Sequence, residues 1–259
     1  MAAQKKSDNE LRVSLWERLE RPAAAPRPSL TTHQIATAAV EIADAEGLDA
    51  VTMRRLASTL GVAPMAAYRY VSGKDDVLEL MVDLVYGELE LPDAAGWRET
   101  MRALATRTRA LMLQHRWLGQ LFAAQTAFAL TPNLMAVAER ALAALDELST
   151  DTDTKMAVFR TVDSYAHGAA NAEIAQLRLM EGHGWSSGHE MRDGLAPQMV
   201  WLLNTGRYPT FQRYIREGAR KDDLQWQFEI GLDCVLDGIA ARMFSIPEDA
   251  EKSGRPSGA

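Results

Sequence analysis

Apolar residues recur at intervals of three and four from about residue 31 almost to the end of the 259-residue chain. In the first such segment, Ile35, Ala38, Ala39 and Ile42 fall on one side of a helix. The same spacing predicts C-terminal helices near residues 97–115, 117–128, 132–148, 152–181, 190–204, 209–218 and 223–244. No stretch of useful length alternates between apolar and polar residues as a strand does. The pattern therefore predicts an all-α fold.

Four short helices are predicted in the N-terminal part. Thr31 or Thr32 caps the first, which Gly47 ends, and Thr52 caps the second, which Gly61 ends. A third helix runs from Pro64 to Tyr70, because proline suits a first helical turn, and a fourth covers residues 75–89. Two short helices joined by a tight glycine turn predict a helix-turn-helix.

The third helix is expected to present a face that fits the major groove of DNA. Leu56 and Val62 hold it from beneath, and its outer residues include no acid. These outer residues are Pro64, Met65, Ala66, Tyr68, Arg69 and Tyr70. Small residues let a short helix enter a groove about 12 Å wide. Arginine suits guanine or phosphate, tyrosine suits phosphate and sugar, and Lys74, at the start of the next helix, suits phosphate.

Domain boundaries follow from the Pro/Ala-rich run at residues 21–28 and from the break at residues 91–96. A short helix can form within residues 10–20 of the N-terminal arm. The predicted organisation is a flexible arm and linker over 1–28, a helix-turn-helix domain over 29–90, a helical domain over 91–247 and a disordered tail over 248–259.

The charge distribution supports contact with DNA at the N-terminal end only. The net charge is −7, yet residues 1–74 carry ten Lys/Arg against eight Asp/Glu. Residues 50–74 contain four cations and no acid, although charge alone leaves DNA binding open. The acidic remainder favours solubility and repels stray DNA.

Several other classes of protein are not expected. No apolar run reaches the length of a membrane helix, and no signal peptide is recognised, so we expect a cytoplasmic protein with no membrane partner. The single cysteine, Cys234, excludes an internal disulfide and a cysteine-based zinc site. No nucleophile elbow, phosphate loop or triad appears, so we expect no enzyme and no cofactor.

The N-terminal motifs resemble those of the TetR family of bacterial one-component repressors. The resemblance covers residues 36–77 and is strongest in 52–57, 60–62 and 68–74. It implies that the partner is double-stranded operator DNA. The residues it implies to face DNA are Met53, Arg54, Pro64, Met65, Ala66, Tyr68, Arg69, Tyr70 and Lys74, to which we add the cap Thr52.

The last helix looks like that of tetracycline-repressor-type C-terminal domains, which packs in a four-helix bundle across a homodimer. Its own pattern agrees, because an apolar stripe adjoins a face of small residues. The long helix from residue 152 carries a matching stripe. The expected interface residues are Phe159, Val162, Ala166, Ala169, Ala170, Gly231, Cys234, Val235 and Gly238. The alternative is that both stripes are core within one chain.

A pocket for an unknown small-molecule inducer is expected among the C-terminal helices. Its candidate wall residues are Met112, Trp117, Phe122, Phe128, Tyr165, His167, Asn171 and Trp201. Each aromatic residue is also suited to plain core. In the tetracycline-repressor subclass a metal-binding histidine lies soon after a His-Arg pair that His115-Arg116 resembles. The corresponding position in this chain falls near Phe122. Phenylalanine cannot bind a metal, so no metal is expected there. His183 and His189 are expected to be surface histidines.

These features together predict a homodimeric repressor with two states. Inducer binding shifts the fourth helix, changes the separation of the reading heads and releases a palindromic operator. The alternatives are an activator, a ligand-independent regulator, or a small-molecule-binding or enzymatic helical protein with a vestigial helix-turn-helix.

Overall fold

The computed structural model describes residues 14–20, 30–93, 96–124 and 130–244. Within these ranges every regular element is a helix and no strand occurs, which confirms the all-α prediction. None of the described helices combines the length and apolarity needed to cross a membrane. The predicted linker at 21–28 and tail at 248–259 lie outside the described residues.

Twelve α-helices and two single-turn 3₁₀ helices are described. The α-helices are α1 (Leu15–Glu20), α2 (Thr32–Glu46), α3 (Met53–Thr59), α4 (Pro64–Ala67), α5 (Lys74–Tyr86), α6 (Trp97–Gln114), α7 (Leu118–Ala124), α8 (Pro132–Ala144), α9 (Thr152–His183), α10 (Gly188–Asn204), α11 (Pro209–Glu217) and α12 (Leu224–Phe244). The 3₁₀ turns are Leu48–Ala50 and Leu145–Glu147.

The chain forms two compact units. The described part of the first unit is 14–20, 30–90, 114–124 and 130–137. That of the second is 91–93, 96–113 and 138–244. The predicted helix-turn-helix domain, 29–90, falls within the first unit, which also contains a later segment that the sequence assigned to the C-terminal domain.

Helices α2 and α5 form the core of the first unit. Ile35 and Ala39 from α2 and Met81 and Val85 from α5 have no exposed surface. The predicted cap of α2 is present, since the Thr31 hydroxyl accepts the Gln34 N–H and the Gln34 side chain accepts the Thr31 N–H.

Two carboxylates fasten the later segment to these helices. Asp44 of α2 accepts a hydrogen bond from the Trp117 indole N–H at 2.8 Å and contacts His115 Nδ1 at 3.0 Å. Asp83 of α5 accepts the Asn133 backbone N–H at 2.7 Å. Because each partner lies 50 to 73 residues further along the chain, spacing along the sequence gave no sign of these bonds.

Several predicted helix boundaries are corrected. The third helix ends at Ala67 rather than Tyr70, because residues 68–70 continue as tight turns in which the Tyr70 N–H bonds the Ala67 carbonyl. The fourth helix covers residues 74–86 rather than 75–89. Gly87 follows it, where a side chain would meet the Asn133 amide at 2.9 Å.

Part of the predicted N-terminal arm is helical. Its residues 15–20 form α1, and Leu15 is only 3% exposed. A helix of six residues is too short to be stable on its own, so the burial of Leu15 in the first unit stabilises it.

Helices α9 and α12 pack together in the second unit. Val162, Ala166 and Ala170 of α9 and Leu236 of α12 have no exposed surface, and Leu232 has 1%. Three of the predicted interface residues, Val162, Ala166 and Ala170, are therefore core of a single chain and leave no surface for a partner. For them the intramolecular alternative is correct.

Helices α10 and α11 contrast with this core, because neither contains a buried residue. Large apolar side chains on and beside them are nevertheless exposed to 37–68%. They are Leu195, Val200, Trp201, Tyr208, Phe211, Tyr214, Trp226 and Ile230.

Candidate DNA-binding site

Helices α3 and α4 form a tight helix-turn-helix in the first unit. Leu56 and Ala57 of α3 and Ala67 of α4 are at most 1% exposed. Gly61 has φ +66°, the left-handed conformation that the sequence predicted for the turn. The Val62 N–H then bonds the Ala57 carbonyl at 3.0 Å, so the chain folds back onto α3.

The outer side of α4 and of the turns at residues 68–70 projects from this core, and we call this surface the face of α4. Met65 is 73% exposed and Tyr68 46%, while Pro64 and Arg69 are also exposed. Ala66 and Tyr70 are half-buried rather than exposed. Val71, the next residue after Tyr70, is 1% exposed, so the chain turns towards the core at the end of this segment.

The cations near this face differ in how far they are neutralised. Arg55 forms an ion pair with Glu46 at 2.6 Å, which raises the pKa of the arginine and lowers that of the glutamate. Arg54 and Arg69 are exposed, and among the described residues neither has an ion-pair partner. These two arginines thus remain available to an anionic ligand.

The start of each flanking helix completes the surface. Thr52 is exposed and caps α3 through the Arg55 N–H at 3.2 Å, and Met53 beside it is half-buried. Lys74 is exposed at the first turn of α5, and its ammonium donates to the Leu48 carbonyl at 3.3 Å. All ten predicted DNA-facing residues therefore belong to one unit. Seven of them lie between the start of α4 and the start of α5, and the other three are at the start of α3.

Of the predicted pocket residues, Trp117 lies in the first unit and is 2% exposed. Its polar atom is already used by Asp44. Phe122 belongs to α7 but its side chain is outside the description, and Phe128 lies outside the described residues. Trp201, on α10, is 68% exposed.

The remaining predicted pocket residues belong to the second unit. One is on α6, and the three on α9 do not share a face of that helix. Met112 of α6 has no exposed surface. His167 and Asn171 are one turn apart, whereas Tyr165 points away from them, because two residues subtend about 200° on a helix. The Tyr165 hydroxyl donates to the Phe228 carbonyl of α12 at 2.7 Å. That hydroxyl is accordingly part of the α9–α12 packing, and burial raises its pKa.

A buried ionic cluster in the second unit was not predicted. Arg109 of α6 is 8% exposed and donates to Glu173 of α9 at 2.7 Å and to Gln225 of α12 at 2.7 Å. Its guanidinium carbon also lies 4.8 Å from the centre of the Phe228 ring. The available signal was a charged residue four positions after Ala105 on the apolar side of α6.

The small-residue face of α12 divides into two parts. A side chain at Gly231 would overlap the Tyr165 hydroxyl, so this glycine lets α12 approach α9 closely within the chain. Cys234 and Gly238 are exposed, and nothing lies within 4 Å of a side chain built at Gly238. Phe159, Ala169 and Val235, the other expected interface residues, are half-buried.

No metal site was found among the described residues, where no three His, Cys, Asp or Glu side chains cluster. His183 stacks on Trp185 with ring centres 4.3 Å apart, and His189 pairs with Asp193.

Comparison with known families gives two matches. Residues 35–81 match the family described as "Bacterial regulatory proteins, tetR family". Residues 91–243 match that described as "Tetracyclin repressor-like, C-terminal domain".

Similar proteins of known sequence and structure agree with these matches. The HTH-type transcriptional repressor DrrR1 of Streptomyces coeruleorubidus is 34% identical over 87% of this chain and 83% of its own. An HTH-type transcriptional regulator of Saccharopolyspora erythraea is 35% identical over 62% of this chain and 67% of its own. The structure of ActR from Streptomyces coelicolor in complex with actinorhodin has a TM-score of 0.69 and 26% identity, and covers 85% of this chain and 99% of that one.

Proposed function

The chain belongs to the TetR family of bacterial regulatory proteins, and from this we propose that it is a homodimeric repressor that a small-molecule inducer releases from a palindromic operator. It is a ligand-responsive DNA-binding transcriptional regulator and not an enzyme. The dimer, the palindrome and the release by an inducer are the proposed steps.

The observation that carries the proposal is the exposed face of α4. Met65 and Tyr68 stand out from a rigid core, and Arg54 and Arg69 have no acidic partner among the described residues. An apolar and aromatic surface with free guanidinium groups suits base edges, thymine methyl groups and phosphates. We assign the reading of the operator to this face, with Thr52 and Lys74 at its margins.

The exposed side of α10 and α11 supports the homodimer. Monomeric proteins rarely leave a run of aromatic and aliphatic side chains such as Val200, Trp201, Phe211 and Tyr214 uncovered. We propose that a second copy covers them and that the exposed α12 residues Cys234 and Gly238 join the same interface. A twofold dimer presents two reading heads, so its operator is an inverted repeat with half-sites about one helical turn apart.

The inducer is proposed to bind the second unit. ActR, the similar structure, binds actinorhodin. In this chain we propose that the ligand is bound by His167 and Asn171, one turn apart on α9, with Met112 of α6 as an apolar contact, because polar groups beside apolar residues suit a flat, partly polar molecule. Release of DNA then requires that the ligand bind the DNA-free state more tightly than the DNA-bound state.

The test begins with duplexes that the protein itself selects from a random library. We expect an enriched inverted repeat, bound by two chains per duplex, and a duplex with only one half-site bound much more weakly. Enrichment of a sequence without twofold symmetry, bound by one chain, would overturn the dimeric part of the proposal.

Induction is tested on the same duplex with actinorhodin as the probe molecule, followed by a panel of flat aromatic compounds. We expect at least one compound to release DNA and to protect the second unit from hydrogen exchange. An Asn171→Leu variant should need more of that compound while binding DNA as before. Release that is unchanged in this variant would count against the proposed pocket.

A further inference from the structure

Helix α1 lies outside the region that matches the regulatory family, which begins at residue 35. It nevertheless docks on the first unit, since Leu15 is 3% exposed. One turn further on, Arg18 reaches Ser72, between α4 and α5, and Asp76, in the first turn of α5; they are 54 and 58 residues away in sequence. An element from outside the matched region is therefore attached next to the reading face.

Arg18 and the α4–α5 loop are joined through one Asp76 carboxylate oxygen and by a direct hydrogen bond to Ser72. The Asp76 Oδ2 atom accepts a hydrogen bond from Arg18 Nη2 at 2.5 Å and one from the Ser72 backbone N–H at 2.7 Å. Arg18 Nη1 also donates to the Ser72 hydroxyl. The Asp76 side chain is 16% exposed, so these bonds are partly shielded from water. They fix the loop residue that stands two positions before Lys74.

The same arginine faces an acidic helix start. Asp75, Asp76 and Glu79 lie within the first two turns of α5, immediately after Lys74. Burial and the two aspartates raise the pKa of Glu79, and the charge of Arg18 acts in the opposite direction. Burial likewise disfavours ionised Asp76, but Ser72 and Arg18 outweigh it and lower the pKa of that carboxyl. Arg18 thus offsets negative charge beside a lysine that is expected to meet phosphate.

We propose that Arg18 is a positioning residue for DNA binding, which holds the Ser72–Lys74 loop through Asp76 and through the Ser72 hydroxyl, and which screens the acidic start of α5 from the phosphate backbone. The reading head of this chain accordingly includes an arm residue from outside the matched region, residues 35–81. The inference rests on DNA binding and does not depend on the dimer or on the inducer.

The test is a double-mutant cycle with the full chain and the duplex enriched by the wild-type protein. Arg18→Met should weaken binding roughly threefold to tenfold, as expected for loss of a partly shielded ion pair. Arg18→Lys, which keeps the charge, should restore most of the affinity. In the Asp76→Asn background the effect of Arg18→Met should shrink to about twofold or less, because the two residues act as one unit.

The control is Arg140→Met, which removes an exposed arginine paired with Asp93 in the second unit and should leave DNA affinity unchanged. Circular dichroism on heating checks that each variant is folded. If Arg18→Met is not folded, the cycle is measured with Arg18→Lys and Asp76→Asn instead. Equal binding by Arg18→Met and wild type would overturn the inference alone. A full loss retained in the Asp76→Asn background would also overturn it, because Arg18 would then act directly on DNA. Failure of the wild type to enrich any duplex would overturn both this inference and the proposed function.

Discussion

His167 is a residue of the second unit whose protonation is favoured by a neighbouring carboxylate. Its Nδ1 atom lies 2.9 Å from the Asp163 carbonyl and 3.3 Å from the Asp163 carboxylate. Burial disfavours the protonated ring, but the hydrogen bond and charge of Asp163 outweigh it and raise the pKa of His167 above its ordinary value. The stabilisation is therefore fully present below the unfolded-state pKa and is lost as pH rises through the raised folded-state pKa.

We predict that the His167→Gln variant is less stable than the wild type at pH 5.5. This difference in the free energy of unfolding should shrink as pH rises to 8.5. The difference at the acidic end should be about 1 kcal/mol, the usual worth of a partly exposed ion pair. Urea unfolding at a series of pH values measures it, and Asp163→Asn should remove the same pH dependence. A difference that stays constant or grows towards pH 8.5 would contradict the assigned pairing.

Among features of single residues, those whose hydrogen-bond partners are nearby in the sequence were the most predictable. The caps Thr31 and Thr52 and the positive-φ glycines Gly47 and Gly61 depend only on groups within a few residues. Tyr165 was not predictable in this way. Its hydroxyl partner lies 63 residues away, so its polarity suggested a pocket when it serves helix packing.

Buried Arg109 joins three helices, α6, α9 and α12, through Glu173, Gln225 and Phe228. We predict that Arg109→Met destabilises the protein by about 3 kcal/mol, because it leaves the largely shielded Glu173 carboxylate, 17% exposed, without its partner. The matched control is Arg107→Met on the exposed side of the same helix, which should change stability by less than about 0.5 kcal/mol.

The double variant Arg109→Met with Glu173→Leu should recover part of the loss, since no lone charge is then buried. Urea unfolding midpoints of the four proteins test the cluster. Equal stability of Arg109→Met and Arg107→Met would show that the ionic contacts contribute nothing.

Helix positions were predicted well because a 3.6-residue period is a local property, and most ends differ from those observed by one to four residues. Which element packs against each apolar stripe was less predictable. Val162, Ala166 and Ala170 read equally well as an interface or as core, because apolar periodicity does not tell which chain supplies the neighbour. The structure assigns them to the core, with no exposed surface.

At the scale of the molecule, Gly238 offers a test of the proposed dimer. It is exposed, and a side chain built there has nothing within 4 Å in the single chain. Gly238→Leu should therefore keep the fold but obstruct close approach of a second α12. We predict that the dimer dissociation constant rises at least about fivefold, because overpacking costs about 1 kcal/mol or more.

Sedimentation equilibrium of the purified protein measures this constant. Gly182→Leu is the matched control, because Gly182 is also helical and exposed with nothing within 4 Å, and lies outside the proposed interface. A wild-type monomer, or a Gly238→Leu protein that dimerises as the wild type does, would remove α12 from the interface.

The central claim is that the face of α4 reads operator DNA, and equilibrium binding to the self-selected duplex tests it most directly. Tyr68→Ala combined with Arg69→Ala removes two exposed side chains of that face, and Arg107→Ala combined with Arg140→Ala removes two exposed cations elsewhere. At about 0.15 M salt we predict a loss of at least about tenfold for the first pair and a weaker salt dependence, with wild-type affinity for the second. Wild-type affinity and salt dependence in the Tyr68→Ala/Arg69→Ala protein would contradict the account.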